Sequence, residues 1–393
     1  MSTTTTPLVH LYGPRSVPKP ALAPINVQQQ PLSQKQFCSQ SILPPSPPAT
    51  PQPKCESTVS ARSLKNHRLH PDFLAKYSFG EELGSGGFGF VVSAYERRTN
   101  IERAVKFIFR HLIPPYSYMT DPELGKIPME IYVLKNVQHP NIVRYIDSYQ
   151  DETFFYLVME LHGTQWEPAT VEVTHNNTQA ATHSPALSQT SEDSFTSSVD
   201  TRLEEEYPSP SRMFVRRTSC DLFECIERHH NFEEPLARVI FRQIAECVAH
   251  LDRMGICHRD IKDENIVIDS QYKVKLIDFG SAVTLPRHYG RNETCLFGKF
   301  YGTISFASPE ILMCHMYRAE PAEIWSLGVL LYTILFGEVP FHDPHMAMTG
   351  RFVQPKIRVS PECMHLVSYM LERSPEKRPT IYQVLAHPWL RNH

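Results

Sequence analysis

The residues best suited to chemistry lie between Cys257 and Gly280, where two polar motifs are separated by a strand-like run. Asp260 is a carboxylate that can orient a hydroxyl group and accept its proton. Asn265 and Asp278 offer the hard oxygen ligands that Mg²⁺ prefers, and Lys262 adds a positive charge. Together these groups suit the transfer of a phosphoryl group to a hydroxyl. The motifs read His258-Arg259-Asp260, Lys262, Asn265 and Asp278-Phe279-Gly280, with the strand at Val274 to Ile277.

A lysine inside an apolar strand needs a carboxylate partner, because an unpaired buried charge is costly. Lys106 lies in such a run, from Ala104 to Phe109. Two partners are possible, Glu130 and Glu123. Glu130 is favoured because an apolar helical pattern follows it, and Pro128 suits the first position of that helix.

A glycine-rich stretch, Gly84-Ser85-Gly86-Gly87-Phe88-Gly89, follows a strand predicted at Phe79 to Leu83. A dinucleotide-binding glycine motif opens a helix. Here the β-branched and aromatic residues from Val91 to Tyr95 predict a second strand instead. The glycines therefore join two strands, and their backbone N–H groups can lie over phosphates.

Two long helices are predicted to position these motifs. Apolar residues from Glu233 to Met254 recur at helical spacing, and this helix leads to the catalytic motif. Pro321 to Phe336 predicts a buried helix. The longest apolar run, Trp325 to Gly337, is too short for a membrane span.

The composition indicates an ordered core with long polar segments. The chain has 393 residues, 41% of them hydrophobic, a net charge of -3, and 33 Pro against 16 Gly. This charge argues against an obligate nucleic-acid binder. The nine cysteines show no metal-ligand spacing, and no signal peptide is found, so a cytoplasmic location, or one also in the nucleus, is expected.

Four segments are expected. Residues 1–76 form a disordered arm with eight Lys and Arg against two Asp and Glu, a charge of +6. Residues 77–162 form a first lobe that ends in a hinge. Residues 163–218 are a Ser- and Thr-rich acidic insertion, disordered because structureless loops of this length are rare in compact domains. Residues 219–393 form a second lobe.

Over residues 77–162 and 219–390 the chain resembles the eukaryotic protein kinases. Within them it is most similar to the catalytic domain of the PAS-domain kinases, and the PIM kinases resemble it more distantly through Pro128-Met129-Glu130. The resemblance implies an α+β bilobal fold, with a small β-rich N-lobe that contains one key helix and a larger, mainly helical C-lobe. The stretches that carry it are 121–126, 158–163, 221–223, 258–267 and 276–282.

The resemblance also implies ATP and Mg²⁺ as cofactors. Asp260, Lys262, Asn265, Lys106 and Glu130 would be catalytic, and Asn265 and Asp278 would hold the metal. Asp221 would bind the ribose hydroxyls, although it also suits a helix N-cap. Glu160 and His162 would hydrogen-bond adenine through their backbones. The full nucleotide site would comprise Leu83, Gly84, Ser85, Gly86, Gly87, Phe88, Gly89, Val91, Ala104, Lys106, Glu160, His162, Asp221, Val267 and Asp278.

Residues 278–310 match an activation segment. Thr303 would bridge Asp260 and Lys262. Arg259 would either bind a phosphate near Thr294 or make structural hydrogen bonds, and both readings stay open. Glu310 would pair with Arg378.

Three features depart from the family pattern, and a fourth adds to it. The N-terminal arm is too short for a PAS sensor domain. Glu323 stands where most kinases have Asp, and Ser308 replaces the usual Ala before Pro309. Ser219, with Arg216 three residues before it, could be an autophosphorylation site.

The expected function is a serine/threonine protein kinase that acts as a monomeric catalytic domain on proteins, with no nucleic-acid or membrane partner. Substrates would carry a basic residue upstream, which Glu264, Asp263 and Glu224 could meet, although these acids also suit ordinary surface charge. The family suggests nutrient or sugar signalling. The alternative is a nucleotide-binding scaffold without catalysis, which has no need of the complete charged set.

Overall fold

A five-stranded antiparallel sheet, ordered β1-β2-β3-β7-β6, forms the N-lobe. The computed structural model describes residues 58–166, 217–286 and 295–391. Within the N-lobe the elements are α1 (Val59–Ser63), α2 (Pro71–Lys76), β1 (Tyr77–Gly86), β2 (Gly89–Glu96), β3 (Glu102–Phe109), β4 (Tyr118–Asp121), β5 (Gly125–Pro128), α3 (Met129–Asn136), β6 (Tyr145–Gln150) and β7 (Phe154–Glu160).

The C-lobe is mainly helical, and the predicted bilobal α+β fold is confirmed. Its elements are α4 (Leu222–His229), α5 (Glu234–Arg253), β8 (Ile256–Cys257), β9 (Ile266–Ile268), β10 (Val274–Leu276), β11 (Val283–Thr284), α6 (Pro309–Leu312), α7 (Ala319–Phe336), α8 (Pro344–Thr349), α9 (Pro361–Met370), α10 (Ile381–Leu385) and α11 (Pro388–Arg391). The short strands pair as β8 with β11 and β9 with β10, and they carry the catalytic loops between them.

The boundary predicted at Tyr77 is too late, because residues 58–76 are ordered. Alternating residues of the strands give the outer face of the N-lobe sheet an aromatic surface, which needs cover. The segment that contains α1 and α2 covers this face through Phe73 on α2 and through Leu64 and Leu69 between the two helices, each at most 2% exposed. The weak helical pattern of these short segments gives no sign of this burial, since the sheet face that they cover comes later in the chain.

A short hairpin, β4–β5, precedes helix α3 and was not expected. Pro128 ends this hairpin and forms the N-cap of α3, one position before the helix that it was predicted to begin. Consequently α3 has only eight residues, and its first turn presents Glu130 to the cleft between the lobes.

Two long helices organise the C-lobe, as predicted. Helix α5 was predicted from Glu233 to Met254, and it runs from Glu234 to Arg253 with Glu233 as its N-cap. Helix α7 is apolar on almost every side and lies at the centre of the lobe. Among the described residues it is the one helix long and apolar enough to cross a membrane, and 78% of that stretch is buried inside the structure. Gly337 is the C-cap of α7, with a φ of 72°. A side chain there would be strained and would clash with the His230 carbonyl, so glycine is required.

Candidate active site

A lysine and two carboxylates from three separate elements meet in the cleft. Lys106 on β3 donates to Glu130 Oε1 at 2.7 Å and to Asp278 Oδ1 at 2.8 Å. The other proposed partner, Glu123, instead pairs with Lys135 at 2.7 Å, with its side chain 77% exposed. The structure therefore joins Lys106 to Glu130, the partner favoured by the helical pattern.

The electrostatics of this cluster follow from burial and from the shared lysine. Burial raises the pKa of Glu130 to about 7, and the positive charge of Lys106 only partly opposes this. Burial also opposes ionisation of Asp278, but the charge and hydrogen bond of Lys106 hold the pKa of Asp278 below its usual range. The two carboxylates in turn keep Lys106 charged, because they raise its pKa against the effect of burial. The cluster thus holds a fixed cation at the edge of the cleft.

Hydrogen bonds orient the carboxylate of Asp260. Asn265 Nδ2 donates to Asp260 Oδ2 at 2.9 Å and to the Asp260 carbonyl at 2.8 Å. On the other side, Thr303 donates to Asp260 Oδ1 from its N–H at 2.9 Å and from its hydroxyl at 3.0 Å. Thr303 therefore contacts Asp260 as predicted, whereas Lys262 pairs with Glu264 instead of completing the expected bridge.

The donor set fits a magnesium ion that comes with phosphate. Asn265 uses its amide N–H groups to hold Asp260, so the amide oxygen is the atom that remains for a metal. Asp278 supplies a carboxylate, and both are hard oxygen ligands. Within the three described ranges no group of three or more His, Cys, Asp or Glu could hold a metal alone. Phosphate oxygens would have to complete the coordination.

The catalytic loop is held from below by helix α7. Glu323 Oε2 accepts the Arg259 N–H at 2.8 Å, at a position where φ is 63°. Burial raises the pKa of Glu323 to about 7, although backbone N–H groups partly offset this. Glu323, the residue that departs from the usual aspartate, therefore holds the backbone of the loop.

The side chain of Arg259 makes structural contacts among the described residues. Its Nε donates to the Ser281 carbonyl at 2.8 Å, and its guanidinium lies 5.1 Å from the ring of Phe297 and 5.7 Å from that of Tyr301. These contacts join the catalytic loop to the activation segment. Thr294, the predicted phosphate acceptor, lies outside the described residues.

The glycine-rich stretch joins β1 to β2, as the strand pattern predicted. A side chain at Gly89 would meet the Phe107 carbonyl at 1.9 Å, so only glycine fits there. Added side chains at Gly84, Gly86 and Gly87 would meet nothing within 4 Å. No steric clash therefore requires glycine at these three positions. Their effect is to leave the backbone N–H groups uncovered, as a phosphate-binding loop requires.

The remaining predicted nucleotide residues lie on the strands of the N-lobe sheet, at the hinge and on β9. Ala104 is buried opposite Met159 in the β3–β7 register. The Glu160 N–H donates to the Arg144 carbonyl, and its carboxylate lies 2.8 Å from Lys275 Nζ, so neither group is free to bind a base. His162 contacts the Lys273 carbonyl through Nε2 at 2.9 Å. Leu83, Ser85, Phe88, Val91 and Val267 are exposed or half-buried on the cleft elements β1, β2 and β9 and the turn between β1 and β2.

Asp221 has the geometry of a helix cap. Its Oδ1 accepts the Glu224 N–H at 2.9 Å at the start of α4. Its Oδ2 accepts the hydroxyl proton of Ser219 at 2.5 Å. Burial raises the pKa of Asp221, and the charge of Glu264 adds to this, while the hydrogen bonds oppose it. The carboxylate is half-buried, so a role toward ribose is compatible with the cap.

These arrangements agree with the comparison with known proteins. A model of the family described as "Protein kinase domain" matches residues 77–187 and 201–390. The chain belongs to the protein kinase family. The gap between the two matched segments falls inside the predicted insertion, 163–218, most of which lies outside the described residues.

Named relatives support the resemblance drawn from the motifs. The PAS domain-containing serine/threonine-protein kinase of Mus musculus is 37% identical over 315 residues, 80% of this chain and 18% of the relative. Serine/threonine-protein kinase PSK2 of Saccharomyces cerevisiae is 31% identical over 314 residues, 79% of this chain and 23% of the relative. Serine/threonine-protein kinase pim-2 of Danio rerio is 30% identical over 336 residues, 83% of this chain and 87% of the relative. The chain thus spans about a fifth of the length of the first two relatives.

The kinase C-lobe is anchored by a buried ion pair. Arg378 binds both oxygens of Glu310, at 2.7 and 2.6 Å, and its side chain is fully buried against Trp325. Ser308, two residues before Glu310, is fully buried, and its hydroxyl has no hydrogen-bond partner in the described structure. Alanine at this position would bury no polar group, so serine places an unsatisfied hydroxyl in the core.

Sequence reasoning missed a set of contacts that reach the glycine-rich strand from outside the motifs. Glu82 on β1 is buried, and its carboxylate accepts the Ser60 N–H of α1 at 2.7 Å. The Glu82 carbonyl accepts the Arg217 N–H at 2.8 Å, and the Arg217 side chain lies 3.0 Å from Glu102. The only sign of these contacts in the sequence is Glu82, an acidic residue in a strand next to the glycines. Acidic residues are too common in strands for this to indicate a buried contact.

Proposed function

We propose that this kinase is catalytically active and transfers the γ-phosphoryl group of ATP, with Mg²⁺, to serine or threonine hydroxyls of proteins. The observation that carries the proposal is Lys106, held at once by Glu130 and Asp278. This arrangement requires α3 and the Asp278 loop to be in their productive positions together.

The residues of the chain would divide the work as follows. Lys106 positions the α- and β-phosphates, and Asp260 orients the acceptor hydroxyl and takes its proton. Asn265 and Asp278 would hold Mg²⁺, which supplies charge neutralisation at the phosphates. Lys262 would add a cation near the transferred group, and in the structure it is paired with Glu264.

A second function, a nucleotide-binding scaffold without catalysis, is less well supported. A scaffold needs the cleft but not a base, and here the carboxylate of Asp260 is held by donors on both sides. Orienting one carboxylate in this way has a use in proton transfer and little use in binding alone.

The proposal extends to acceptors with an upstream arginine or lysine. Glu264 presents a carboxylate that is 53% exposed beside the catalytic loop. Asp263 lies next to it, buried, and burial raises its pKa to about 6. Glu224 on α4 adds a half-buried carboxylate. These acids give the substrate side of the C-lobe a negative charge that attracts basic peptides.

Other parts of the proposal rest on the resemblance and on composition. They are a role in nutrient or metabolic signalling, a cytoplasmic or nuclear location, and action as a monomer on protein substrates alone.

The test is phosphate transfer to two peptides that differ only in having Arg or Ala three residues before the serine. Protein made in bacteria is compared with Asp278→Ala and with Glu264→Gln. We expect transfer to the Arg peptide, its loss in Asp278→Ala, and a smaller ratio between the peptides in Glu264→Gln. Unchanged turnover in Asp278→Ala would refute the metal assignment. Nucleotide binding without any transfer would favour the scaffold.

A further inference from the structure

Ser219 lies between two charged contacts at the mouth of the nucleotide cleft. Its hydroxyl donates to Asp221 Oδ2 at 2.5 Å, and the Asp221 N–H returns a contact to Ser219 Oγ at 3.4 Å. Two residues earlier, Arg217 contacts Glu102 at 3.0 Å and Glu81 at 3.9 Å on the N-lobe strands. The segment 217–221 therefore runs from the N-lobe sheet to the cap of α4.

We infer that Ser219 is a regulatory phosphorylation site, and that a phosphate placed there by a second copy of this kinase weakens nucleotide binding through Asp221. The inference rests on the proposed function, because the second copy must be active and must accept basic substrates. It deepens that function by assigning a feedback to the same site.

The sequence around Ser219 fits the proposed acceptor preference. Arg216 and Arg217 stand three and two residues before it. The Arg217 side chain is 24% exposed and one of its partners, Glu81, is 50% exposed. An ion pair with this exposure contributes about 1 kcal/mol or less, and the hydrogen bond from the Arg217 N–H to the Glu82 carbonyl must also open for the segment to detach. Ser219 is half-buried and Thr218 is exposed.

Within one copy the Ser219 hydroxyl is bound by Asp221 and not by the proposed base Asp260, so the transfer is assigned to a second copy. The hydroxyl is held at the cap of α4 by Asp221, whereas Asp260 is held by Asn265 and Thr303 in the catalytic loop. In the transfer, Ser219 Oγ bonds to the γ-phosphorus of ATP as the bond to the bridging oxygen of ADP breaks. The hydroxyl proton passes to Asp260 of the second copy, and ADP leaves.

Phosphorylation would convert an attraction into a repulsion. Ser219 now donates a proton to the carboxylate, and a phosphoserine carries acceptor oxygens and about −2 charge instead. The carboxylate of Asp221 already lies near the charge of Glu264. A second anion would turn Asp221 away from the cleft, and its proposed hydrogen bonds to ribose would be lost. Because hydrogen bonds to a charged group are worth about 1.5–3 kcal/mol, nucleotide affinity should fall at least about tenfold.

The first experiment measures Mg-ADP binding by calorimetry, which does not depend on catalysis. Ser219→Glu should bind at least about tenfold more weakly than the wild type, and Thr218→Glu, with the same charge one residue away on an exposed position, should bind within about twofold. In the Asp221→Asn background, Ser219→Glu should have little further effect, since the two changes act on one contact. Equal losses in both backgrounds would overturn the inference.

The second experiment uses phosphoserine itself. Wild-type kinase is incubated with Mg-ATP and an Asp260→Asn copy of distinguishable mass, which lacks the proposed base but keeps the metal ligands, and Ser219 of the inactive copy is examined by mass spectrometry. We expect phosphate on Ser219, and the modified copy should bind Mg-ADP more weakly than the unmodified one. Phosphorylation of the Arg peptide with Ser219 left unmodified, or full affinity in the modified copy, would refute the inference. If the wild type phosphorylates no peptide, the proposed function fails, and the calorimetric comparison still decides whether charge at Ser219 acts on the cleft.

Discussion

Replacing Phe73 on α2 by alanine should destabilise the catalytic domain, although this residue lies outside every kinase motif. Its side chain is 1% exposed. The ring packs against five others, with centroid distances of 5.3 Å to Tyr77, 5.7 Å to Phe79, 6.1 Å to Phe107, 5.6 Å to Tyr149 and 5.3 Å to Tyr156. Truncation of a buried Phe to Ala costs about 3–5 kcal/mol. At about 2 °C per kcal/mol for a domain of this size, the melting temperature should fall by about 6 °C or more.

Differential scanning calorimetry of the full chain measures this effect. The matched control is Leu74→Ala on the same helix, at a residue that is 38% exposed, and it should cost less than about 1 kcal/mol. A truncated protein beginning at Tyr77 should be less soluble than one beginning at Thr58, because the aromatic face of the sheet loses its cover. If Phe73→Ala melts within about 1 °C of the Leu74→Ala control, the packing of α2 on the sheet contributes little and the reasoning is wrong.

Three further predictions concern carboxylates and a hydroxyl. Glu130→Gln should lower phosphate transfer to the Arg peptide by at least about tenfold, since it removes a charged partner of a buried lysine. Glu123→Gln, the control, should leave transfer unchanged. Equal losses in the two variants would contradict the pairing of Lys106 with Glu130. Ser308→Ala should raise the free energy of unfolding by about 1 kcal/mol, because it removes a buried hydroxyl without a partner, and a lower melting temperature would show that the hydroxyl is bonded. Burial raises the pKa of Glu323 from its ordinary 4.5 to about 7. Between these two pH values the folded state keeps a proton on Glu323 that the unfolded state has released. The free energy of unfolding should therefore fall as the pH rises from about 4.5 to about 7. Glu323→Gln should lose this part of the slope in urea titrations at pH 5 and 7.5, and identical slopes would exclude the shift.

The fold class and the two long helices were predictable because their signals are local. Helix α5 was placed within one residue at each end by the spacing of its apolar side chains. The strand–glycine–strand prediction was correct for the same reason, since an aromatic residue and two β-branched residues, Phe90, Val91 and Val92, directly follow Gly89. In contrast, the β4–β5 hairpin and helices α1 and α2 are short elements, and their stability comes from surfaces elsewhere in the chain.

The candidate site divides in the same way. Asp260, Lys262 and Asn265 lie within six residues, so their types and spacing already indicated their chemistry. The sequence favoured Glu130 over Glu123 as the partner of Lys106 but did not exclude Glu123, because both acids are close to the helix in sequence. The contact of Lys262 with Glu264 was not foreseen, since both side chains are long and their conformations depend on the packed loop.

The family, the two lobes and the set of charged residues follow from the amino-acid sequence alone, because each depends on residue types at short and regular spacing. Which of these charges meet depends on the folded chain. Lys106 and Asp278 are 172 positions apart and lie 2.8 Å from each other. The burial of Phe73 against the N-lobe sheet is likewise a product of packing. Contacts of this kind depend on the burial of surfaces from distant segments, which local patterns do not record.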